Sequence, residues 1–132
     1  MGACAELQRL AVALRVKRVY EEPEEVDGER MLIDRPWPRG FSKEKAEITA
    51  WRKDLAPSDE LRKWFGHEAD RWEEFMKRYR VELEEAGKTE DLRKIGERAA
   101  ERNVTLLFGA KDTEHNNARA LMAFVRELGG AA

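Results

Sequence analysis

Cysteine occurs once in the 132 residues, at Cys4, so the chain can form no internal disulfide. Apolar runs are also short. None approaches the roughly 18 residues of a membrane-spanning helix, and the mean hydropathy is -0.75. The N-terminus lacks the basic start, apolar stretch and cleavage pattern of a secretory leader. Together these absences predict a cytoplasmic protein that does not cross a membrane. Histidine occurs twice, at His67 and His115, with no partner at helical spacing, and this predicts no metal site. A phosphate-binding Walker loop, GxGxxG, GxSxG and CxxC are all missing, so the cofactors stay unknown. An excess of charge is missing too. The 25 Lys plus Arg against 27 Asp plus Glu leave a net charge of -2, so bulk electrostatics name no partner. Nucleic-acid binding would need the basic residues gathered on one face.

What is present suits a single domain, long enough to bury a core. Residues 1–15 read as an N-terminal extension with a short helix carrying Leu7, Leu10 and Leu14, and 16–132 as the domain. Val16, Val19 and Tyr20 predict a first strand, and Met31-Leu32-Ile33 a second, covered on both faces, after a charged turn at Asp27-Gly28. A weak helix start lies at Ser42, and a short extended segment at Trp51 to Leu55. Ser58 is a good N-cap for a helix from Asp59 to Phe65 that Gly66 stops. Trp72, Phe75, Met76, Tyr79 and Leu83 recur at helical spacing, which predicts the clearest helix of the chain, ended by Gly87. A further helix spans about Asp91 to Arg102. Val104 to Ala110 reads as the most buried strand, and a last helix carries Leu121, Met122 and Val125 inward. Strands alternating with helices predict a small three-layer, Rossmann-like α/β domain with a mostly parallel sheet.

In such sheets ligands bind beyond the carboxyl ends of the strands. Two unusual polar segments lie there, Asp34 to Gly40 after the second strand and Lys111 to Asn116 after the last. If they meet, Arg35, Arg39 and Lys43 supply cations, while Trp37, stiffened by Pro36 and Pro38, supplies an apolar wall. Arg62, Lys111, Thr113 and Asn116 complete the expected ligand contacts. A last helix starting near Thr113 would add backbone N–H groups and favour the neutral imidazole of His115. Asp34, Asp112 and His115 are the candidates for proton transfer. The expected ligand is an anionic small molecule bearing a phosphate or a carboxylate, with phosphate the leading class.

Each element also has a structural reading. Arg35 and Arg39 could pair with Asp27, Asp34 or glutamates, Trp37 could plug the core, and Asp112 or Thr113 could be a helix cap. His67 reads as structural, and the Trp72, Phe75 and Tyr79 stripe as core rather than a platform for stacked bases. A non-enzymatic module holding nucleic acid or a protein through the Asp34 to Gly40 loop is the alternative function. A homo-oligomer with these loops at its interface is a third.

The order of motifs resembles the YeaO-like family, a domain of unknown function. The marks are Asp27-Gly28-x-Arg30, Ile33-Asp34-Arg35-x-Trp37-Pro38-Arg39-Gly40, Trp51-x-Lys53-Asp54-Leu55-x-Pro57-Ser58 with Leu61-Arg62, Phe75-x-x-x-Tyr79, Glu82-Leu83, Thr105-Leu106-Leu107 and Ala110 to Asn116. They run from about Val16 to Val125. The resemblance implies a compact Rossmann-like α/β fold and no particular reaction. Pro36 departs from the leucine this family prefers there, which makes the loop stiffer.

Overall fold

The computed structural model describes residues 13–66 and 68–129. Cys4, the expected N-terminal helix up to residue 12 and His67 lie outside the described residues, as does the side chain of Lys43. Four strands form one parallel sheet: β1 (Leu14–Arg18), β2 (Glu29–Leu32), β3 (Ala50–Trp51) and β4 (Val104–Phe108), in the order β1-β4-β2-β3. The central strand β4 pairs with both β1 and β2, placing Thr105 beside Arg15 and Arg30. Its five residues are all buried, as expected for a strand covered on both faces.

Between β2 and β3 lies the one-turn helix α1 (Lys43–Ala46). The crossover from β3 to β4 carries α2 (Asp59–Phe65), α3 (Trp72–Glu85) and α4 (Thr89–Ala99), and α5 (Asn117–Gly129) follows β4. In α2 the Ser58 hydroxyl accepts from the Leu61 N–H at 3.1 Å, and Gly66 closes the helix in the left-handed conformation at φ 53°, which glycine adopts without steric cost.

Strand alternation sorts the two faces of the sheet. Leu14, Val16, Met31, Val104, Leu106 and Phe108 join one continuous core with Phe65, Phe75, Tyr79, Leu83, Ile95 and Leu121 of the four longer helices. Burying each large side chain here stabilises by roughly 1.5–3 kcal/mol. The opposite face carries a small cluster of Val19, Leu32 and Leu107, against which Trp37 and Ile48 pack. Its covering is made of α1 and the strand connections, and buried ion pairs join the apolar contacts there. Asp27, 2% exposed, receives Arg30 Nη1 at 2.5 Å and Lys17 Nζ at 3.1 Å. Arg30 donates further to the carbonyls of Ala46 at 2.8 Å and Glu47 at 3.1 Å, fastening the end of α1 to the sheet.

Several boundaries differ from the sequence expectation: β2 runs Glu29–Leu32, β4 stops at Phe108, α4 runs Thr89–Ala99, and Lys53–Leu55 is a helical turn instead of extended chain. The stretch from Val16 is already paired at Leu14. The last helix begins at Asn117, not near Thr113, because the Asp112 carboxylate draws the N–H groups of Glu114 and His115 into a turn of its own, at 2.9 and 3.0 Å.

Candidate functional site

The parallel sheet aims the carboxyl ends of β1, β2 and β4 at one rim, and the chain leaves each strand there through a short loop. Trp37 is positioned by its indole N–H, which donates to the Phe41 carbonyl at 2.7 Å, and by edge-on packing against Trp51 at 5.2 Å. Pro38 beside it is buried. The loop after β2 is therefore rigid at its middle. Asp34 ties it to the neighbouring strand end: one carboxylate oxygen accepts the Gly109 N–H at 2.8 Å, and the other accepts Asn117 Nδ2 at 2.9 Å.

These ties enclose a cavity of about 380 Å³. Its polar lining includes Asp34, Arg39, Arg62, Asn116 and Asn117, and its apolar wall includes Trp37, Phe65 and Phe108. The two distant polar segments thus meet. Arg39 is exposed, and among the described residues its guanidinium forms no ion pair. Arg62 pairs with Asp59 one turn away on α2 at 3.2 Å, an exposed contact that a ligand could replace at small cost. Asn116 is 3% exposed. Its Oδ1 accepts the Arg119 N–H at 2.9 Å and caps α5, the role that the sequence suggested for Thr113 or Asp112.

Other expected site residues lie elsewhere. Arg35 Nε donates to the Pro57 carbonyl at 2.9 Å, joining the β2 loop to the start of α2 instead of lining the cavity. Asp112 and His115 face each other, with Nδ1 3.0 Å from Oδ2, and neither lines this cavity. His115 precedes α5 instead of opening it, and its ring lies edge-on to Trp72 at 5.2 Å. The N–H groups of Glu114 and His115 hold the Asp112 carboxyl below the ordinary carboxylate range. Thr113 is exposed, and its carbonyl accepts Arg119 Nε at 3.1 Å. Lys111 is exposed beside the cavity, on the β1 side of the rim.

The described residues hold no group of three His, Cys, Asp or Glu side chains that could bind a metal. Among them, no helix is long and apolar enough to cross a membrane.

The family model described as the inactive DUF488-N3 subclade matches residues 13–129. An uncharacterised Escherichia coli protein, YeaO, is 37% identical over 115 residues, which is 87% of this chain and 98% of that one. This chain belongs to the YeaO-like DUF488-N3 family. Uncharacterised proteins of Mycobacterium tuberculosis and Mycobacterium bovis are 44% identical over 92 residues, covering 70% of this chain and 78% of theirs. No solved structure matches.

Several marks of the YeaO-like pattern bond to one another. Trp51 Nε1 donates to the Asp34 carbonyl at 2.8 Å, Arg35 to Pro57, and Arg30 to Asp27. Sequence reasoning missed Tyr20 and Asn117 on the cavity wall. Tyr20 had a signal, since it follows β1 and so belongs to the same rim. Asn117 had none, because its importance comes from reaching Asp34 across 83 positions of sequence.

Proposed function

We propose that this YeaO-like protein binds a small anionic molecule, with a phosphate ester as the best-fitting class, in the cavity at the strand ends. Arg39 clamps the anion, Arg62 turns from Asp59 to assist, and Trp37 packs on the ligand body. One observation carries the reading: an exposed guanidinium that forms no ion pair among the described residues stands at a concave, aromatic-walled rim. A guanidinium in that state gives up no internal partner when it binds, and it matches phosphate or carboxylate in two-point geometry. The cavity volume suits a small ligand. Asp34 lies in the same cavity but has an N–H donor on each oxygen, which limits its competition with an anion.

The protein acts by holding the ligand without transforming it. The word inactive in the family description supports this. So does the engagement of Asp112 with His115 and with two backbone N–H groups.

A thermal-shift series with inorganic phosphate, adenosine monophosphate and citrate tests the reading. Ligand at about a hundred times its Kd adds about 2.7 kcal/mol to the native state, and Arg39→Ala removes that gain while leaving the unliganded melting temperature unchanged. A drop in the unliganded melting temperature would make Arg39 structural. Binding only to oligonucleotides, weakening steeply with salt, would favour the nucleic-acid reading of the Asp34 to Gly40 loop.

A further inference from the structure

The cavity does not end at Tyr20. A second, more open hollow of about 590 Å³ is lined by Arg18, Tyr20, Gly109, Ala110, Lys111 and Asp112. Tyr20, Gly109 and Ala110 line both hollows, so the two are contiguous along the ends of β1 and β4. Tyr20 stands between them. Its hydroxyl donates to the Arg39 carbonyl at 3.3 Å, and its ring meets Phe41 edge-on at 5.0 Å.

Cations line both hollows. In the second, Arg18 Nε donates to the Ala110 carbonyl at 3.0 Å, and its guanidinium carbon lies 4.7 Å over the Tyr20 ring. Held by a carbonyl and a ring, the guanidinium is set in place without spending its charge on a carboxylate. Neither Arg18 nor Lys111 forms an ion pair among the described residues. The carboxylate there, Asp112, is already committed to two N–H groups and His115. Arg39 and Arg62 line the first hollow, and Arg18 and Lys111 line the second.

We propose that the ligand is elongated and bis-anionic: one anionic group sits between Arg39 and Arg62, the other between Arg18 and Lys111, and a planar body crosses Tyr20. A nucleoside bisphosphate represents the class, because the first hollow adds the apolar wall of Trp37, Phe65 and Phe108. This rests on the anion-binding reading above and extends it to a second subsite.

Isothermal titration of the full chain with adenosine monophosphate and adenosine 3′,5′-bisphosphate, at one ionic strength, tests it. The bisphosphate binds about tenfold more tightly, as one further hydrogen-bonded charge pair provides. Arg18→Ala erases that advantage, Arg39→Ala weakens both ligands, and Lys94→Ala on the exposed side of α4 leaves both unchanged. Equal affinities in the wild type overturn the second subsite alone, as does an advantage that survives Arg18→Ala or is lost equally in Lys94→Ala. Failure of both ligands to bind overturns the second subsite together with the reading on which it rests.

Discussion

Asp27 faces two cations in a space that water barely reaches, with side-chain exposures of 3% for Asp27, 5% for Arg30 and 10% for Lys17. Burial alone would raise its carboxyl, but the Glu24 N–H, Lys17 and Arg30 outweigh that and hold it below the ordinary carboxylate range. Removing the carboxylate leaves Arg30 desolvated without a counter-charge and Lys17 with Glu24 alone. Asp27→Ala should therefore cost about 3–5 kcal/mol, a large share of the roughly 5–15 kcal/mol that holds a typical domain together. Urea unfolding checks this, and a loss below about 1 kcal/mol would show that the pair is hydrated like a surface one. At the same scale the rim arginines separate by role. Arg35 spends its Nε on Pro57 and belongs to the fold, while Arg39 lines the cavity and forms no ion pair among the described residues. Sequence could not tell them apart, since both flank the same Pro-Trp-Pro segment. Nor could it single out Asp27 as buried: in a chain that is 39% charged, a carboxylate beside glycine reads as a solvated turn.

The element most sensitive to one atom is the entry to β2. Gly28 lies at φ 65° and ψ -129°, and a Cβ there would stand 2.1 Å from the Asn103 carbonyl oxygen. That carbonyl accepts the Glu29 N–H at 3.1 Å and starts the pairing of β2 with β4. Neither backbone can retreat without breaking the register. Gly28→Ala should lower stability by more than the roughly 1–3 kcal/mol of backbone strain alone, read as a fall in the thermal midpoint. An unchanged midpoint would mean that the turn refolds into another geometry. Most elements were legible because local chemistry and burial agree. The apolar stripe of α3, the Ser58 cap and Gly66 stop of α2, and the apolar and β-branched run of β4 each state their element within a few residues. The start of α5 was not legible, because Asp112, Asn116 and Asn117 all suit a cap, and long-range contacts choose among them. Asn117 reaches Asp34, Asn116 caps, and Asp112 closes a turn. The meeting of the two polar segments was legible only on the condition that the second and last strands are neighbours, which the order β1-β4-β2-β3 fulfils, and the direction of each side chain at the rim was not. For that reason His115 and Asp112 were expected in the cavity and stand beside it.

Over the whole molecule, the same polar ties set the pH range in which the fold persists. On the acid side, Arg52 holds the Asp54 carboxyl to about 2, with Lys88 assisting against partial burial, and Asp27 and Asp112 are also lowered. Below the unfolded value near 3.9, the unfolded chain takes up protons that the native carboxylates still refuse, so stability falls with falling pH. Asp54 is 41% exposed in its side chain, so solvent screens its share, and Asp27 should dominate this limb. On the alkaline side, Tyr79 is fully buried with its hydroxyl on the Leu55 carbonyl. Burial, reinforced by the Asp34 and Glu82 charges, raises its phenol well above 10.0. The unfolded chain then releases that proton from about pH 10 upward while the native chain cannot, so stability falls as pH rises. Lys17 is lowered by burial but raised on balance by Glu24 and Asp27, and its contribution is likewise lost with rising pH. Urea unfolding against pH should thus show a plateau with a decline below about pH 4 and another above about pH 10. Tyr79→Phe separates the alkaline terms: it should cost about 1 kcal/mol at neutral pH through the lost hydrogen bond and flatten the upper decline. A variant whose alkaline limb runs parallel to the wild type would assign that limb to Lys17 and its carboxylates instead.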